Sequence, residues 1–252
     1  MILYTNGCSW TWGGALEPYF KFNNVIYDEK RLKLVWPHHL GNLLSADKVV
    51  NLGMGCGSNQ RTVRTTFDWL TSQDKETLED TVAVIQLTEF NRFEIYEPKE
   101  VDKPFENLPN NWLNCKIDLI SGPLPTNSVF FDDPHYIDMR NKVNERIANT
   151  SEIELMYNTL SYMHSLQYMF NIHGVKDVYF WHHGNQWHSW SENMINYIQT
   201  NFNILQQFPE KFKVWNYERV EGEGIHGHPS LRGHEQLAQH IHHDLIEKGL
   251  IR

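Results

Sequence analysis

Cysteine is scarce: only Cys8, Cys56 and Cys115 occur in 252 residues, an odd number and widely spaced. That excludes a disulfide-stapled framework and any paired-cysteine zinc motif, and fits reduced thiols inside a cell. Basic charge is also short. Lys and Arg total 22 against 31 Asp and Glu, a formal net charge of −9, so the clustered cations that a phosphate backbone needs are missing and nucleic acid is not an expected partner. Long apolar runs are absent too. No window is long enough to span a bilayer, and the N-terminus lacks the basic, apolar and small-residue succession of a signal peptide, so we expect a soluble, cytoplasmic chain with no membrane partner. Repeats and disorder-type composition are missing as well. With 40% hydrophobic and 21% charged residues, the length suits one domain, 1–252, around one sizeable core.

What is present alternates. Ile2 to Thr5, Lys48 to Asn51, Val82 to Leu87, Asp177 to Trp181 and Phe212 to Trp215 are short β-branched or aromatic runs of the kind that fill buried parallel strands. Between them lie helical patterns at Trp36 to Leu44, Asn59 to Leu70 and Glu152 to Ile172. A last helix follows Gly233, with Leu237, Ala238, Ile241 and Leu245 on one face. Five strands with intervening helices predict a doubly wound α/β sandwich. From about 96 to 134, prolines 98, 104, 109, 123, 125 and 134 interrupt periodicity and argue against long regular elements. This stretch reads as an insertion that shapes the substrate site or an oligomer interface.

The first strand breaks into Asn6-Gly7-Cys8-Ser9-Trp10-Thr11-Trp12-Gly13-Gly14, a serine on a glycine-flanked turn at a strand's carboxyl end, where open α/β sheets bind ligands. Near the C-terminus, His226-Gly227-His228-Pro229-Ser230-Leu231-Arg232-Gly233-His234 precedes the last helix, and an imidazole there could be the base that Ser9 needs. Each signal has a plainer reading. Ser9 could be an N-cap for a helix starting at Trp10, His228 a loop histidine, and His234 a structural imidazole near the helix start. Fourteen histidines invite a metal reading, but adjacent histidines on a helix point apart, so we expect no metal and no cofactor. His182 and His183 follow a strand end and could contact substrate. Core packing accounts for most of the nine tryptophans, and a few of those near strand ends, Trp10, Trp12, Trp181, Trp187 and Trp190 among them, could stack on a ligand.

The block around Ser9 resembles the first block of the SGNH (GDSL-like) hydrolases, with Cys8 replacing the acidic residue that usually precedes the serine. Val49-Val50-Asn51-Leu52-Gly53-Met54-Gly55-Cys56-Gly57-Ser58-Asn59 resembles the second block, and His228-Pro229-Ser230-Leu231-Arg232-Gly233-His234 the histidine loop. The resemblance implies a three-layer α/β/α sandwich with a mainly parallel, flavodoxin-like five-stranded sheet. It places Ser9 as nucleophile and His228 as base, with oxyanion donors at the Ser9 amide and at Cys56 or Gly57. Two departures follow. The family aspartate three residues before the histidine is Ile225, leaving Glu221, Glu223, another carboxylate from elsewhere in the fold, a backbone carbonyl or no orienter at all. The expected Gly-x-Asn-Asp block reads Gln86-Leu87-Thr88-Glu89-Phe90-Asn91-Arg92-Phe93-Glu94, with Asn91 as substitute oxyanion donor. Its Thr-x-x-x-Arg-x-Glu pattern is similar to that of divergent bacteriophage members, which extends the expected setting to a virion.

These features imply a serine esterase acting through a Ser9 acyl-enzyme, with an O-acetyl group on a carbohydrate as favoured substrate and Trp10, Asn59, Glu89, His182 and His183 as candidate substrate contacts. Two alternatives stand beside it. Without aspartate and third-block asparagine the fold could serve as a binding or structural module, and an alcohol in place of water would make an acyltransferase.

Overall fold

The computed structural model describes residues 1–14, 16, 20–21, 24–25, 29–55, 57–90, 92–96, 112–118, 122–125, 145, 150–182, 191–202, 228–249 and 251. Its strands are β1 (Ile2–Asn6), β2 (Phe20–Lys21), β3 (Asn24–Val25), β4 (Lys48–Asn51), β5 (Thr81–Leu87), β6 (Arg92–Tyr96), β7 (Trp112–Asp118), β8 (Gly122–Pro125) and β9 (Asp177–His182). Its helices are α1 (Ser9–Trp12), α2 (Glu29–Leu32), α3 (Trp36–Leu43), α4 (Asn59–Ser72), α5 (Lys75–Glu79), α6 (Glu152–Ile172), α7 (Glu192–Asn201) and α8 (Leu231–Glu247).

Four strands form a parallel sheet in the order β4-β1-β5-β9. Counted along the chain that is 2-1-3-4, the flavodoxin-like order of doubly wound folds. Alternation of side chains along each strand feeds two cores. Leu3, Val82, Val84, Tyr179 and Trp181 pack against Trp36 and Leu40 of α3 and against Leu237, Ala238, Ile241 and Leu245 of α8. Tyr4, Ala83, Ile85, Val178 and Phe180 pack against Leu70 of α4, Met163, Leu166 and Phe170 of α6, and Ile198 of α7. Helices therefore cover both faces, as the continuous apolar strands require, and the fold is the expected three-layer α/β/α sandwich. The fifth expected strand, Phe212 to Trp215, lies outside the described residues.

Two expectations need correction. The last helix begins at Leu231, not after Gly233, because the Ser230 hydroxyl accepts the Gly233 N–H and caps the first turn. The proline-rich stretch contains regular structure: β6, β7 and β8 form an antiparallel sheet whose edge strand, β8, carries Pro123 and Pro125. Proline lacks a ladder donor but is tolerated on an edge, so these two mark an edge strand and not the absence of one. The sheet is fastened to α4. Arg64 holds Glu94 of β6 through two bonds, 3.1 and 2.8 Å, and Gln60 accepts the Glu94 N–H.

Candidate active site

Ser9 sits where β1 ends, between the carboxyl ends of β4 and β5. Serines cap α4, α6, α7 and α8, each accepting an amide one turn on. Helix α1 differs. Its N-cap is Cys8, with no side-chain cap bond, so Ser9 is the first helical residue and its hydroxyl is not consumed by capping. That hydroxyl lies 2.7 Å from Nε2 of His228. The two residues are 219 positions apart in sequence, and the packing of α8 on the sheet brings them together. The plainer reading of Ser9 as an N-cap is therefore replaced.

The neighbours of the pair are tightly fitted. A Cβ on Gly14 would stand 2.9 Å from the Ser9 Cβ and 3.2 Å from Nε2 and Cδ2 of His228, so only glycine leaves both side chains where they are. Gly7 has φ +155, and a Cβ there would fall 2.6 Å from both Gln86 Cβ and Thr11 Oγ1. Ser9 is buried, at 8% exposure, and His228 is half-buried, so the hydroxyl is almost enclosed beside a partly exposed imidazole.

His234 occupies a different environment. It is fully buried on α8, its Nδ1 accepts the Trp36 N–H at 3.2 Å, and it thereby caps α3. Desolvation, reinforced by His39, His228 and Arg31, pulls its pKa down to about 3, which keeps it neutral. It is the structural imidazole of the pair, and its Nε2 has no hydrogen-bond partner among the described residues.

The other expected site residues divide. Trp10 is not a rim aromatic: it is buried, its ring 6.5 Å from Trp181, which in turn meets Trp36 edge-on at 5.5 Å. This removes Trp10 and Trp181 as carbohydrate-stacking platforms. Asn59 is occupied on both sides, its Nδ2 donating to the Thr88 carbonyl at 3.1 Å and its Oδ1 accepting the Thr88 N–H at 2.8 Å, so it joins α4 to the loop after β5 and does not face a ligand. Glu89 pairs with Arg92 at 2.9 Å. His182 closes β9, in register with Leu87 at the sheet's carboxyl edge, and is buried. The Gly57 N–H donates to the Met54 carbonyl at 3.0 Å and holds the second turn closed, which takes it out of the available oxyanion donors. Cys56, Asn91, His183, Trp187, Trp190, Ile225, Glu221 and Glu223 lie outside the described residues. The Ser9 amide remains: at the first helical position it has no intrahelical acceptor.

Three residues at this rim carry a role that composition and motifs did not suggest. Thr11 of α1 is hydrogen-bonded to Gln86 of β5 on one side and to Asn51 of β4 on the other. The signal was there in Gln86, a polar residue inside an otherwise apolar strand. Among the described residues, no group of three or more His, Cys, Asp or Glu is arranged to hold a metal ion, and no helix is long and apolar enough to cross a membrane.

Comparison with known proteins gives one sequence family and several structures. A model described as Family of unknown function (DUF6071) matches residues 22–251, a span that includes His228 and starts after Ser9. No curated protein matches the sequence. Among solved structures, the chain is similar to a member of the lipolytic protein G-D-S-L family from Veillonella parvula DSM 2008, with 11% identity, TM-score 0.46 and coverage of 98% of this chain and 97% of that one. It is also similar to a protein from Desulfitobacterium hafniense DCB-2 named as lipolytic and of the G-D-S-L family, with 11% identity, TM-score 0.46 and coverage of 97% and 99%.

Proposed function

We propose that this chain, which belongs to the family of unknown function DUF6071, is a serine ester hydrolase of SGNH type. One observation carries the reading: the 2.7 Å contact between Ser9 Oγ and His228 Nε2 at the carboxyl rim of a parallel sheet. A nucleophile and base need that separation, and two residues 219 positions apart reach it only through the tertiary fold.

In the proposed cycle the Ser9 oxygen attacks the ester carbonyl carbon as its proton passes to Nε2 of His228. The carbonyl π pair moves onto oxygen, and the Ser9 N–H, which has no intrahelical acceptor, stabilises the resulting oxyanion. Collapse expels the alcohol, which takes the proton back from His228, and leaves an acyl-Ser9. Water then attacks, giving its proton to His228, and release of the acid restores the hydroxyl. An O-acetyl ester on a carbohydrate is the substrate class that the sequence blocks favour. Trp10 and Trp181 no longer support the carbohydrate half of that choice, because both are in the core.

Turnover of a chromogenic acetate ester by wild type and by Ser9→Ala tests the reading. Loss of turnover with an unchanged far-UV spectrum is expected. Equal turnover by the two proteins would remove Ser9 from the reaction.

A further inference from the structure

The central strand β5 carries Gln86, fully buried among apolar neighbours. A polar side chain in such a place destabilises the fold unless it is hydrogen-bonded, so its partners indicate what it is for. Oε1 of Gln86 accepts two bonds from one residue, Thr11: the N–H at 3.1 Å and the hydroxyl. From the other side, Nδ2 of Asn51, at the end of β4, donates to the Thr11 carbonyl at 2.8 Å, while Oδ1 of Asn51 accepts the Gly53 N–H at 2.9 Å. Gly53 and Gly7 permit this convergence. A Cβ on Gly53 would stand 2.7 Å from the Trp12 nitrogen, and one on Gly7 would strike Gln86 and Thr11.

Thr11 is therefore held by both strands that flank β1, two residues beyond Ser9 in a single helical turn. A four-residue helix is too short to keep its own geometry in water, so its orientation is set from outside. We infer that Gln86 and Thr11 are positioning residues for Ser9: their bonds fix the turn so that the Ser9 hydroxyl meets His228 and the Ser9 amide faces the carbonyl oxygen. This inference rests on the esterase reading above. Gln86 stands where the SGNH pattern begins its third block, and it acts on the first block through Thr11.

Gln86→Met keeps the length of the side chain and removes the acceptor. Thr11→Val keeps the shape and removes the hydroxyl, whereas Thr11→Ser retains it. Steady-state turnover of a chromogenic acetate ester and the rate of Ser9 modification by a fluorophosphonate are measured, each per folded molecule. Gln86→Met and Thr11→Val are expected to lower kcat and the modification rate together by about 10- to 100-fold, with KM within about twofold, and Thr11→Ser to stay within about threefold of wild type. Wild-type rates in Gln86→Met and Thr11→Val, whatever their melting temperatures, overturn the inference. If Gln86→Met does not fold, Thr11→Val against Thr11→Ser decides it. A wild-type protein that neither turns over the ester nor reacts at Ser9 defeats the esterase reading itself. A reactive wild type with equally reactive variants defeats only the positioning role.

Discussion

Gly14→Ala is the smallest change aimed at the Ser9–His228 pair. The added methyl would lie 2.9 Å from the Ser9 Cβ and 3.2 Å from Nε2 and Cδ2 of His228. Carbon contacts settle at about 3.5–4.0 Å, so Ser9 or the imidazole must recede by roughly 0.3–0.6 Å. That stretches the 2.7 Å Ser9–His228 bond to about 3.0–3.3 Å, the outer limit for a hydrogen bond. A misplacement of about 1 Å costs roughly 100-fold in rate, so half of that predicts about a 10-fold fall in kcat, or ~1.4 kcal/mol in the barrier. Stability falls by about 1 kcal/mol. Gly14 is not among the glycines with positive φ, so the gain of about 0.4–1 kcal/mol from a stiffer unfolded chain partly offsets an overpacking cost of about 1–3 kcal/mol. Ester turnover and a thermal melt on the same preparation separate the two effects. Full activity in Gly14→Ala, or a loss no larger than the fraction unfolded, would refute the reasoning.

Further outcomes follow from the same geometry. The buried, neutral His234 makes the fold sensitive to acid: above pH ~6.5 neither state binds its proton. As pH falls from there towards 3 the unfolded chain protonates first, and stability drops by about 1.4 kcal/mol per unit. Denaturant midpoints against pH should show that slope, and His234→Asn, which keeps an acceptor but does not titrate, should flatten it; an unchanged slope contradicts the assignment. Glu94→Ala removes the buried carboxylate that Arg64 holds and should lower the unfolding free energy by about 2–3 kcal/mol in urea, below the roughly 3–5 kcal/mol of a fully buried pair because Arg64 is 23% exposed; a loss under about 0.5 kcal/mol would mean the pair does not anchor the β6-β7-β8 sheet. Leu237→Ala, in the fully buried face of α8, should cost about 2–5 kcal/mol, read as a lowered melting temperature.

Much of the architecture was legible in the chain. The strands stood out because a parallel sheet covered on both faces needs largely apolar runs, and Val82 to Leu87, broken only by Gln86, and Val178 to Trp181 are such runs. The Ser9–His228 pairing was readable because both motifs sit at strand or helix ends, where the topology gathers them. Other features depended on contacts that no local pattern encodes. The bonds that hold Thr11 of α1 come from Gln86 and Asn51, 75 and 40 positions away. Proline concealed the β6-β7-β8 sheet, since its tolerance on an edge strand shows only once pairing is known. Helix α7, Glu192–Asn201, went unrecognised despite its Ser191 cap. Trp10 reads in the sequence as a candidate substrate contact near a strand end, yet the helical turn directs its ring inward, 6.5 Å from Trp181.

Intact mass spectrometry after incubation with a fluorophosphonate tests the central claim most directly. A hydroxyl activated by an imidazole at 2.7 Å predicts one adduct per chain, mapped to the Ser9 peptide, absent in Ser9→Ala and strongly slowed in His228→Ala. An unmodified wild-type chain, or an adduct on another residue that persists in Ser9→Ala, would contradict it.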